Sequence, residues 1–241
     1  MFNRIIFLRV LPLSILLLVG CSGQPIVHKD GQASSQRGFT VSNLVKGDTD
    51  MVTEIAQREL MRALRSLTEK LYRRNPAEFR KANHASAEAA TAAIFAELDR
   101  WQDSALRQSN WEQDFRAVFT PDFQGDRVGA YMSAMVSMLM ASYDHKRDFY
   151  LTDRLDPQKL YNSARNIEVA VWKLSTAVHG NGNRILLTNS QANEPVNLSF
   201  EREFGKLIAQ QDLIALVIED SSNRGINRAL QNVVSFVFFP I

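Results

Sequence analysis

The chain has 241 residues, 45% of them hydrophobic and 22% charged, a globular composition that excludes global disorder. Its 28 basic residues nearly balance 26 acidic ones, so no bulk charge recommends nucleic acid as a partner. One cysteine excludes an internal disulfide framework, so stability has to come from burial.

Residues 1–20 have the parts of a secretory signal. Arg4 supplies positive charge, Ile5 to Val19 is mostly apolar, and the stretch ends on the small residue Gly20. The apolar run after Arg9 is about ten residues, short of the roughly 20 needed to span a bilayer. Leu18-Val19-Gly20-Cys21 resembles the bacterial lipobox. That resemblance implies cleavage before Cys21, acylation of its thiol and its new amine, and attachment to a membrane without a spanning helix. Two or more acyl chains anchor stably where one does not. Removing residues 1–20 removes Arg4 and Arg9 and leaves 26 residues of each sign, so the slight basicity disappears. Ser22 follows the cysteine where an aspartate would resemble an inner-membrane retention signal, which favours the outer membrane, periplasmic side.

From Cys21 to Gly47 the composition is rich in Gly, Ser, Gln and Lys and predicts a flexible tether, roughly 28 Å from end to end as a coil. The body is expected over residues 48–241. A first helix starts at Asp48 or Asp50, with Met51, Ile55, Leu60, Leu64, Leu67 and Leu71 on one face and Arg58, Arg62, Arg65 and Arg73 on another. It stops near Asn75, because Pro76 disfavours helical angles in its predecessor. Glu78 to Ala82 forms one more turn, Ser86 to Gln102 a second helix and Trp111 to Phe119 a third. Asp126 caps the most apolar helix, Val128 to Tyr143, sixteen residues without a charge, which reads as central and buried. Asp156-Pro157 opens a helix to about Val178, with Leu160, Ala164, Ile167, Val171, Trp172 and Leu174 as its apolar residues. Arg184 to Thr188 reads as a short strand. Ser199 to Asp220 and Ile226 to Phe239 are two helices separated at Asn223 and Gly225. The sum is an all-α, bundle-like single domain of six to seven helices behind the tether.

Chemistry-bearing candidates are few. Met132, Met135 and Met138 fall along one side of a helix, and thioethers suit Cu(I) or could line a small-molecule groove. Methionine is also a common core filler, and that reading is preferred here. Asp144, His145 and Asp148 form a compact His/carboxylate group, more simply explained as a polar helix end. Glu168 lies between Arg165 and Trp172, and a carboxylate against tryptophan can have a raised pKa and act as an acid on an envelope polymer such as peptidoglycan. The alternative is a surface glutamate paired to Arg165. The C-terminal Phe236, Phe238 and Phe239 are a candidate surface for a protein partner or a buried terminal helix. No nucleotide loop or nucleophile elbow occurs, and the pattern implies no cofactor.

Two further stretches, Phe149 to Asn162 and Leu198 to Ile208, together with the lipobox, resemble a group of uncharacterised proteobacterial lipoproteins. The resemblance implies an envelope location and carries no catalytic residues. The expectation is a lipid-anchored, non-enzymatic envelope protein that binds a protein partner or supports envelope assembly.

Overall fold

A computed structural model describes Ile26, residues 45–191 and residues 193–237, the stretch 223–237 by backbone alone. Cys21, the rest of the expected tether up to residue 44, Phe238 and Phe239 lie outside the described residues. So does the side chain of Phe236.

The fold is all-α. Eight helices occur among the described residues: α1 (Asp48–Arg74), α2 (Pro76–Lys81), α3 (Ala87–Asp99), α4 (Ala105–Gln108), α5 (Trp111–Val118), α6 (Arg127–Ser142), α7 (Pro157–Thr176) and α8 (Ser199–Val237). A 3₁₀ turn, Trp101–Asp103, joins α3 to α4. The short α4 was not foreseen, and the two helices expected after Ser199 are one. The helix passes through Asn223 and Gly225 without a break. A glycine costs about 1 kcal/mol inside a helix, which a helix already nucleated over a packed stretch can absorb.

Helix ends follow local chemistry. The Asp126 carboxylate accepts the Gly129 N–H at 2.8 Å to start α6, and Asp156 accepts the Gln158 N–H at 2.8 Å before Pro157. Two helices end in the same six-residue closure. At α2, Asn83 takes a left-handed φ of 59° and the His84 N–H returns to the Phe79 carbonyl at 3.0 Å. At α6, Asp144 does the same at φ 51°, and the His145 N–H reaches the Met140 carbonyl at 2.8 Å.

No strand forms at Arg184 to Thr188. A single bridge, Val178 to Arg184, closes the turn around Gly182, whose φ of +83° a side chain would strain. Beyond it the backbone of Leu187 is satisfied by the side chain of Asn75. The Leu187 N–H donates to Asn75 Oδ1 and Asn75 Nδ2 donates to the Leu187 carbonyl, both at 2.8 Å. A side-chain amide has the donor and acceptor of a peptide group, so it replaces a partner strand.

α6 is the centre, packed on α1, α2, α3, α4, α5 and α7, while α8 lies along α7 and α1. Its side chains Val128, Tyr131, Met132, Met135, Val136, Leu139 and Met140 are fully buried. Gly129 is where α6 meets α1. A Cβ there would lie 2.8 Å from the Tyr72 hydroxyl and 2.7 Å from the Asp126 carboxylate, which are themselves bonded at 2.6 Å. Burial, reinforced by Asp126, pushes the Tyr72 hydroxyl well above its ordinary range. Desolvation also raises Asp126, against the hydrogen bonds from Gly129 and Tyr72.

Arg127, buried, turns its guanidinium back on the end of α5. It donates to the carbonyls of Val118, the last residue of α5, and of Thr120 (3.1 Å) and Phe123 (2.8 Å) in the turn that follows. Behind α6, Gln211 of α8 is fully buried. It accepts from the Tyr143 hydroxyl at 2.7 Å and donates to Ser163 of α7 at 2.6 Å and Ser142 of α6 at 3.2 Å. This satisfied polar knot fixes the register of three helices.

The chain joins the body at Val45. Its carbonyl accepts the Leu151 N–H at 3.2 Å. Lys46, its side chain buried, pairs with the buried Glu54 at 2.6 Å and with Asp148 at 3.2 Å, and Glu54 also accepts the Phe149 N–H at 2.9 Å. The first turns of α1 therefore bury Thr53, Glu54 and Gln57, while Ile55, expected on the apolar face, is exposed. No helix among the described residues is long and apolar enough to cross a membrane.

Candidate functional site

The methionines are core. Met132, Met135 and Met138 are all buried on α6 among aliphatic and aromatic neighbours. Among the described residues no group of three or more His, Cys, Asp or Glu could hold a metal ion.

Glu168 stands on the outer face of α7 with its side chain 47% exposed, 3.3 Å from Arg165. Arg165 is shared with Asp212 of α8 at 2.7 Å and lies over the Tyr161 ring at 4.9 Å. The two carboxylates are thus gathered by one guanidinium on an open helix surface. The desolvating tryptophan is missing as well, because Trp172 points outward.

The His/carboxylate group diverges. Asp144 pairs with Lys159 at 2.6 Å, Asp148 pairs with Lys46, and His145 stacks on Trp101 with ring centres 5.7 Å apart. Burial holds the His145 imidazole below its usual pKa, with Arg107 and Lys159 acting in the same sense and Asp144 opposing. The arginines of α1 are also engaged: Arg62 with Glu59, Arg73 with Glu69 and Glu88, and Arg65 over the Phe95 ring. Arg73 draws the Glu88 carboxyl down to about 2.

What the sequence did not single out is apolar surface. On α7 the buried stripe is Leu160, Ala164, Ile167, Ala170 and Leu174. Trp172 is one step past Val171, a rotation of about 100°, and is 63% exposed. Val169 is exposed beside it. On α8, Leu213 and Leu216 are 63% and 61% exposed. Leu216 and Tyr161 of α7 border a concavity that Pro157 and Ala215 complete, and Leu213 lies one turn before Leu216 on the same helix. Sorting α7 and α8 strictly by angle would have found these residues.

A second concavity of about 590 Å³ lies between α5 and α7. Trp111, Phe115 and Phe119 form one side, Val169 and Trp172 the other. Phe115 and Phe119 rest edge-on against Tyr131 of α6, at 5.3 and 6.1 Å. The Tyr131 hydroxyl is buried with no hydrogen-bond partner among the described residues, and burial raises its pKa far above the ordinary range.

Compared with known proteins, the chain matches no family model, no curated protein and no solved structure. Its function therefore has to be read from its own residues.

Proposed function

We propose that this is a lipid-anchored envelope protein, held through acylated Cys21 on the periplasmic side of the outer membrane, that binds a protein partner and performs no chemistry of its own. The observation that carries the binding half is the seam between α7 and α8, where Tyr161 and Leu216 line an open concavity and Leu213, one turn before Leu216, is exposed. Clustered exposed apolar side chains mark interaction surfaces, and Arg165, Asp212 and Glu219 supply a polar rim. α8 continues from this seam through Ile226 to Val237, so Phe236, one of the three residues proposed with Phe238 and Phe239 as a partner surface, is on the same helix. The lipobox supports the anchoring half.

Two measurements test the halves separately. Mass spectrometry of the mature chain should find acylated Cys21 as its first residue, and Cys21→Ser should release the protein from the membrane fraction. A free thiol at position 21 refutes the anchor. A photocrosslinker placed at Leu216 of the full chain in its native envelope should give one discrete adduct that Leu213→Glu abolishes. A crosslinker at exposed Glu88 should give none. The same adducts from both positions, or none from either, refute the partner surface.

A further inference from the structure

The concavity between α5 and α7 differs from the α7–α8 seam in lining and charge. It spans Trp111 to Phe119 on one helix and its end, and Asn166 to Lys173 on the other, about two turns of each, or roughly 11 Å. A volume of about 590 Å³ lined by Trp111, Phe115, Phe119, Val169 and Trp172 suits a small apolar molecule.

Charge narrows the choice. α7 carries four charged side chains. Lys159 is paired with Asp144, and Arg165 with Glu168 and Asp212. Lys173 is the one of the four with no ion pair among the described residues; its ammonium lies 5.9 Å from the centre of the Phe119 ring, on the rim of the groove. Across from it Glu112 and Arg116 of α5 neutralise each other one turn apart. The groove therefore has an aromatic interior and one uncompensated positive charge at its edge.

We propose that this groove binds a single-chain anionic amphiphile of the fatty-acid type. The alkyl chain lies between Trp111 and Phe115 on one wall and Trp172 on the other, and the carboxylate takes the Lys173 ammonium. A cationic head is repelled there, and a neutral head gains nothing from the lysine. Binding holds with or without an acyl group on Cys21, so it stands apart from the anchoring proposal.

The test uses the full chain and its own tryptophans. Of the three, Trp101 is buried away from the groove, while Trp111 and Trp172 line it. Decanoate, decanol and decyltrimethylammonium are titrated below their micelle concentrations while acrylamide quenching of fluorescence is followed. Decanoate is expected to protect saturably and at least tenfold more tightly than the cationic chain. Octanoate should bind roughly tenfold more weakly than decanoate, since each buried methylene is worth about fourfold. Lys173→Glu should reverse the order of the charged heads, and Lys173→Gln should level them. Val169→Glu, at an exposed position, should abolish decanoate binding with an unchanged circular dichroism spectrum. Equal affinity for the three heads, decanoate binding unchanged in Lys173→Glu, or protection that never saturates would overturn the proposal.

Discussion

α6 and α7 are neighbours of similar helical regularity, and they use apolar residues in opposite ways. On α6 the large apolar side chains point inward in every direction, because the helix is surrounded on all sides. On α7 an inner stripe is buried, while Val169 and Trp172 stand outside it in water. An uncharged run says that a helix is central. A periodic helix with large apolar residues off its stripe says that something else is meant to meet it. Met132, Met135 and Met138 of α6 and Trp172 of α7 divide along this line into packing and surface.

The largest expected effect tests that division. Met135→Ala should cost about 3 kcal/mol in urea unfolding, whereas Trp172→Ala should stay within about 0.5 kcal/mol. Comparable losses at both positions would erase the contrast. Next, Lys46→Met leaves Glu54 buried without its ammonium and should cost roughly 2 kcal/mol. Burial alone would lower the Lys46 pKa, but Glu54 and Asp148 outweigh it and hold it above the ordinary value. The wild-type pair therefore contributes fully below about pH 10 and fades as pH rises through the folded-state value, a loss the variant should not show. Tyr131→Phe removes a buried hydroxyl that has no partner and should stabilise the protein by about 1 kcal/mol. A loss of stability would mean that the hydroxyl is bonded after all. The smallest effect is at His145. Its depressed pKa means that the unfolded chain takes up the proton first, so stability is full above about pH 6.5 and declines below it. His145→Asn keeps a residue that tolerates the left-handed φ of 59° and should flatten the melting temperature between pH 7.5 and 5.5.

The helix boundaries were legible because their determinants are local. Asp126, Asp156-Pro157 and Asn75-Pro76 act within a few residues of themselves, and each marks a boundary found in the structure. What could not be read depends on partners far along the chain. Asn75 completes the backbone of Leu187, Glu54 serves Phe149, and Gln211 gathers Tyr143, Ser142 and Ser163. Nothing near any of these residues announces its role. For Glu168 the sequence offered two readings, an acid against Trp172 and a surface partner of Arg165. The tryptophan faces outward and only the arginine keeps the carboxylate company. The α5–α7 groove was invisible because Trp111 and Trp172 meet only through α6.

The attachment at Val45 and Lys46 also has a mechanical consequence. A pull arriving from the N-terminal side meets a peptide hydrogen bond from Leu151 to Val45 and the Lys46 ammonium held by both Glu54 and Asp148. The load is therefore shared sideways between the second turn of α1 and the segment 148–151, so α1 is not simply peeled from its first residue.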